Sequence, residues 1–280
     1  MFFLVPFYTG TKKNVIPVYE SSHYFQGYIA QGFKHFYRPE FTHYFFVGDD
    51  LILTPAVNER NYQAVLGLDQ NTSYIPEIIT FHNTGYWSRK HLSISFYDNR
   101  NGSEGRHELP APDEALARFA EHNITLGNLG YVDIFGKTKW QDLADSPAKA
   151  ARNLYKYYWR WRHLKAPADN KVKLPYPVVF AYSDIAIVSA ECIQRFSHLC
   201  GVLSAQGLFV EIALPTALLL SAKRIITNND LPFKGVAMWT PEEVQAVSDR
   251  YGYSLKKLIA GFPEDVFYYH PIKLSQWHSN

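Results

Sequence analysis

The residues best suited to chemistry are two adjacent carboxylates, Asp49 and Asp50, which follow Gly48 at the end of the run Thr42–Val47. Neighbouring carboxylates repel, and that repulsion raises the pKa of one of them unless a cation is shared. A divalent ion removes the conflict and can bridge to diphosphate oxygens. A bare Asp-Asp is also a common turn and helix-cap signal. Here, however, Leu51-Ile52-Leu53 resumes the apolar run at once, so the charges are held between two apolar segments. Gly48 leaves backbone room for the close approach of a ligand.

Six further residues could share that chemistry. Glu211 stands in the apolar run Leu208–Leu214, where burial would raise its pKa toward the range of a general base; a solvated Glu in a first helical turn has the same sequence signature. Asp184 interrupts an apolar run beside Ser183 and could bind hydroxyls of a ligand or make a structural hydrogen bond. His270, before Pro271 and three residues from Lys273, suits a pair that clamps a metal and a diphosphate. Lys12 and Lys13 follow the first apolar run and could meet the diphosphate, or be solvated loop lysines. Zinc-spaced Cys/His clusters, a P-loop, Gly-x-Gly-x-x-Gly and Gly-x-Ser-x-Gly are all missing from the sequence.

The elements that must position these groups can be read from periodicity. Residues 2–8 predict a buried strand closed by Thr9-Gly10. Residues 22–37 predict a helix, with Tyr24, Tyr28 and Gly32 spaced by four and Pro39 beyond its end. Thr42–Val47 is a second strand, so the first fifty residues read as a βαβ unit with the carboxylates at a strand's carboxyl end. Two more strands are expected at Tyr74–Phe81 and Leu92–Tyr97, joined by a polar turn at 82–85. Residues 98–112 read as an exposed loop, after which Asp113 could cap a helix through Leu116 and Phe119.

The second half opens with Pro177–Val188, strand-like around Ser183-Asp184. Ser189 is a candidate N-cap for a helix whose stripe is Ile193, Phe196, Cys200 and Leu203. A second apolar helix follows Gly207, and Val266–Lys273 closes the pattern. Alternating strands and helices make the class α/β. The chain reads as one domain over residues 1–280, with a nucleotide and metal half at about 1–145, a basic-aromatic helix and linker at 146–174, and an acceptor half at 175–280.

Composition narrows the function. Hydrophobic residues make up 47% and charged residues 19% of 280, which is the balance of a folded chain. A net charge of +2 argues against a general nucleic-acid binder. Aromatics reach 16%, which suits a sugar or nucleotide site as well as a core. Cys192 and Cys200 fall in one helix-like segment, about 12 Å apart at 1.5 Å per residue, so no disulfide is expected between them and a reducing, cytoplasmic setting follows. The apolar start is short, with its lysines on the wrong side for a signal peptide, and no stretch has the length of a membrane span. Segment 149–165 is basic, with Arg152, Lys156, Arg160 and His163 on one helical stripe and Leu154, Tyr158 and Trp161 on another. It could meet an anionic membrane or a lipid-linked acceptor, or be a solvated basic face over a packed aromatic one.

Tyr44-Phe45-Phe46-Val47-Gly48-Asp49-Asp50 resembles the strand and Asp-x-Asp-type motif of GT-A glycosyltransferases. Phe180–Ile185 with Phe209–Thr216 is similar to the acceptor-side segment of bacterial polysaccharide enzymes of that kind, for O-antigen or capsule. Tyr269–Lys273 resembles their C-terminal histidine segment, which returns to the metal or diphosphate. The resemblance implies a GT-A-like, Rossmann-related mixed sheet flanked by helices. Only 48 residues precede the carboxylates, so the N-terminal nucleotide-binding part would be abbreviated. It implies Mg²⁺ or Mn²⁺ on Asp49, Asp50 and His270, and a nucleotide sugar, such as UDP-galactose, held by Asp49, Lys12 and Lys273. Glu211 and Asp184 would be catalytic, the acceptor a glycan or lipid-linked glycan, and the place of work the cytoplasm, at the inner face of the membrane if the basic segment binds there. Two other readings of the same residues are a polymerase-like nucleotidyl transferase using Gly-Asp-Asp, and a non-catalytic carbohydrate-binding protein.

Overall fold

The computed structural model describes residues 1–81, 104–126, 129–130, 150–151, 154, 171–172 and 176–279. The strand expected at Leu92–Tyr97, the turn at 82–85, and most of the basic segment and its linker lie outside the described residues.

In chain order the elements are β1 (Phe3–Pro6), β2 (Val15–Val18), α1 (Gln26–Phe36), β3 (His43–Val47), β4 (Ile52–Leu53), α2 (Tyr62–Leu66), β5 (Thr72–Tyr74), α3 (Pro112–Glu121), β6 (Leu129–Gly130), β7 (Lys171–Val172), β8 (Ile185–Ser189), α4 (Ile193–Ala205), α5 (Val210–Ser221), β9 (Arg224–Ile226), β10 (Lys234–Ala237), α6 (Pro241–Tyr251), α7 (Leu255–Ala260) and β11 (Val266–His270). The class is mixed α/β, with parallel and antiparallel pairing side by side. No described helix is long and apolar enough to cross a membrane.

The chain forms two compact units, each built from three stretches, so neither matches the halves expected from sequence order. Unit 1 takes Met1–Phe36, Ile79–Phe180 and Ser197–Leu220. In it β1 pairs in parallel with β2, a strand that Pro17 disguises in the sequence. The ribbon has only two strands, so β1 is largely exposed rather than buried as expected; Phe3 is 44% exposed. Leu4 seats on Gly32 of α1, where a Cβ would stand 2.5 Å from its methyl carbon. The cap of α3 is Ala111 rather than Asp113, and its N–H donates to the Glu114 carboxylate at 3.1 Å.

Unit 2 takes Tyr37–Ile78, Ala181–Phe196 and Ser221–Asn280 and holds two sheets. The larger has the order β3-β8-β5-β9, with β8 antiparallel to both neighbours and β5 parallel to β9. The expected βαβ unit is therefore absent: β1 pairs within unit 1, and β3 joins a different sheet, antiparallel to β8. β8, Ile-Ala-Ile-Val-Ser, is central and buried along its whole length, which explains its uninterrupted apolar run. β5 begins earlier than expected and stops before Pro76, which has no N–H to continue a ladder; a single bridge, Ile79 to Phe180, replaces the longer strand within unit 1. Ser189 ends β8 instead of capping α4, which starts four residues later. The predicted stripe Ile193, Phe196, Cys200 and Leu203 is fully buried.

The smaller sheet has the order β10-β11-β4, and its β11 runs parallel to β10 and antiparallel to β4. α6 carries a full set of terminal signals: Thr240 as N-cap with Glu243 in a capping box, Pro241 at the first turn, and Gly252 in the left-handed conformation at the end. Gly235 of β10 lies under the ring of Tyr268, so close that a Cβ would stand 2.1 Å from the ring carbon Cζ. Tyr268 is 2% exposed and stacked on Tyr182, so the ring has nowhere to go. Gly235→Ala is expected to destabilise the fold by about 1–3 kcal/mol, the usual range for overpacking. Urea unfolding would show it, and an unchanged midpoint would refute this packing.

Candidate functional site

Asp49, Asp50 and Asp184 lie in unit 2, where the chain passes from one sheet to the other. β3 ends at Val47, opposite Ile185 of β8, and the Gly48 N–H extends that pairing by donating to the Asp184 carbonyl at 2.7 Å. Asp49 and Asp50 then turn the chain, with the Leu51 N–H bonded to the Gly48 carbonyl, and β4 begins against β11. The Asp50 carbonyl accepts the Ile272 N–H at 2.6 Å, and the His270 carbonyl accepts the Met238 N–H at 2.7 Å. Backbone bonds thus bring Asp50, Asp184 and His270 together from three distant parts of the chain. Lys273 arrives just beyond, after the cis peptide between His270 and Pro271.

The side chains converge on Asp50. His270 Nε2 is 3.0 Å from Asp50 Oδ1 and 4.0 Å from Asp184 Oδ2. Lys273 Nζ donates to Asp50 Oδ2 at 3.0 Å. That hydrogen bond, and then the Asp50 charge, raises the lysine's pKa above its ordinary 10.5. Asp49, in contrast, is exposed and forms no hydrogen bond or ion pair with the described residues. The carboxylate that Asp50 meets across His270 is Asp184 rather than its sequence neighbour. Burial raises the Asp184 carboxyl above its ordinary 3.8; the His270 ring opposes that shift, and the Asp50 charge adds to it.

An aromatic wall backs this cluster. Tyr182 is buried, stacks on Tyr268 with centroids 5.9 Å apart and planes at 3°, and meets the His270 ring edge-on at 5.5 Å. Among the described residues its hydroxyl has no hydrogen bond of good geometry, although it lies close enough to Asp184 to help hold that carboxyl down. Burial, and then the Asp184 charge, push its pKa far up, so it stays a protonated donor. Tyr182 and Tyr268 each stand two residues before a site residue, Asp184 and His270. In extended chain that spacing returns a side chain to the same face, a signal readable in the sequence. Glu77 lies nearby in chain contact: burial raises its carboxyl, against the opposing Tyr182 N–H.

The remaining predicted residues lie in unit 1. Lys12 is exposed in the loop between β1 and β2, its N–H donating to the Tyr8 hydroxyl at 3.1 Å. Glu211 is half-buried in the first turn of α5, followed by a run of buried residues from Ile212 to Leu220. Gly48 also differs in purpose from the expectation. The space beside it is filled by Asp184, whose Cβ would lie 3.5 Å from an added methyl, an ordinary contact.

Two carboxylates and an imidazole are suitable donors for a hard divalent cation. Among the described residues no group of three or more His, Cys, Asp or Glu side chains is gathered closely enough to hold one. Lys273 instead neutralises Asp50 directly, while His270 faces its other carboxylate oxygen. The raised Asp184 pKa carries a stability consequence. A carboxyl whose folded pKa lies above its unfolded value adds most to stability below that unfolded value, and the contribution is lost as pH rises through the folded pKa. Asp184→Asn should therefore melt at a higher temperature than the native chain at neutral pH, with the difference closing toward pH 3.8. A variant less stable at neutral pH would contradict that electrostatic reading. In comparisons with known proteins, no family model, no curated protein and no solved structure matches the chain.

Proposed function

We propose that the chain is a metal-dependent glycosyltransferase of GT-A-like build, moving a sugar from a nucleotide-diphosphate donor to a glycan or lipid-linked glycan hydroxyl. The observation that carries this reading is the convergence of Asp50, Asp184, His270 and Lys273 on one turn between two sheets. The 3.0 Å between Asp50 Oδ1 and His270 Nε2 is also the spacing of neighbouring ligands around an ion bonded at about 2.1 Å.

In this reading Asp50 and His270 would hold Mg²⁺ or Mn²⁺, with the exposed Asp49 as a further donor. The bound ion supplies charge neutralisation for the departing diphosphate. Lys273, released from Asp50, turns its ammonium to the phosphate oxygens, where a mobile point charge is well suited. Asp184 accepts the proton of the attacking hydroxyl, since burial already favours its protonated form. UDP-galactose as donor, bacterial surface polysaccharide as product and a cytoplasmic setting belong to the same proposal.

Release of nucleoside diphosphate from a panel of UDP-, GDP- and dTDP-sugars, with Mn²⁺ and with EDTA, tests the proposal. Turnover should require the metal and fall roughly 10²–10³-fold in Asp50→Ala, the scale of losing a transition-state charge contact. Asp184→Asn should lose transfer while retaining donor binding. No release from any donor, or full turnover by Asp50→Ala, would overturn the reading.

A further inference from the structure

Trp239 is 61% exposed, although it stands in contact with the buried wall of the site. Its indole meets Tyr182 edge-on, with centroids 6.0 Å apart and planes at 84°. Tyr182 in turn touches His270 and carries the influence of the Asp184 charge. The main chain at Trp239 is fixed from both sides. Before it, the Met238 N–H is bonded to the His270 carbonyl at 2.7 Å. After it, the Trp239 and Thr240 N–H groups both donate to the Glu243 carboxylate, at 2.6 and 3.0 Å, in the cap of α6. A large apolar ring held this firmly, and still open to water, is a ready surface for stacking.

We infer that Trp239 is a stacking platform for the pyranose ring of the acceptor saccharide, a role that rests on the glycosyltransferase reading of the neighbouring cluster. The chemistry on either side of Asp50 selects this occupant. Lys273 faces Asp50 Oδ2 and provides the cation that a diphosphate needs. Trp239 reaches the cluster instead through Tyr182, which stands two residues before Asp184 and whose ring meets His270, itself 4.0 Å from Asp184 Oδ2. The group next to Asp184 in the transfer is the acceptor sugar, while the nucleobase is two phosphates away. A pyranose offers an apolar C–H face to the indole and hydroxyls to a carboxylate such as Asp184.

The test uses the full chain and its Trp239→Phe and Trp239→Ala variants, with folding verified by circular dichroism. Methyl β-D-galactopyranoside, methyl α-D-glucopyranoside and lactose serve as saccharide probes, followed by saturation-transfer NMR. Binding of UDP with Mn²⁺ is measured in parallel by calorimetry. At least one saccharide should bind the native chain, weaken about tenfold in Trp239→Ala and largely recover in Trp239→Phe. UDP affinity should be equal in all three. Equal saccharide binding by Trp239→Ala, or no saccharide binding to the native chain, overturns the platform. Loss of UDP affinity in Trp239→Ala also overturns it, by assigning the ring to the base. Saccharide binding that depends on Trp239 in a protein that releases nucleoside diphosphate from none of the UDP-, GDP- and dTDP-sugars supports the platform and overturns the transferase reading alone.

Discussion

Asp50 is placed at the point where the chain leaves one sheet of unit 2 and enters the other, and both its backbone and its side chain are committed there. Its carbonyl receives the Ile272 N–H, and its carboxylate receives His270 and Lys273. A half-buried negative charge at such a turn is tolerable only when cations meet it. That requirement explains why the C-terminal strand must end at this spot and why the segment beyond it folds back over the turn. The register of β11 against β4 and β10 follows from the same demand, since shifting it would carry His270 away from the carboxylate.

The site departs from a maximally stable arrangement. Asp184 is held by burial above the usual carboxyl range, and Tyr182 buries a hydroxyl without a well-formed hydrogen bond. The packing around them is tight: Tyr268 is locked between Gly235 and Tyr182, and Tyr182 supports His270. Unfavourable polar burial inside a rigid aromatic frame is the pattern expected where a ligand completes the contacts that the protein leaves open.

Much of this was legible in the sequence because it depends on local composition. The apolar runs around 43–47, 185–189 and 266–270 announce strands, and Asp50, Asp184 and His270 stand out by interrupting or ending them. Pairing was not legible, because which strands meet is decided by contacts far apart in the chain. Thus β3 reads locally as the second strand of a βαβ unit, yet it pairs antiparallel with β8, some 140 residues later by their numbers. For the same reason Asp49 looks like the partner of Asp50 in sequence, while Asp184 is the carboxylate across His270 in space. Pro17 hid β2, and nothing in the run before α6 marks Trp239 as a ring left open beside the site.

Asp50 and His270 are proposed to form a divalent-cation centre at which Lys273 now meets the Asp50 charge. Electron paramagnetic resonance of Mn²⁺ titrated into the chain in the presence of UDP tests it most directly. The account predicts that the free six-line Mn²⁺ signal is depleted by the native chain, and that Asp50→Asn and His270→Gln weaken this binding by at least about tenfold. A free signal that the native chain leaves undiminished, or that the two variants deplete as fully as it does, would contradict it.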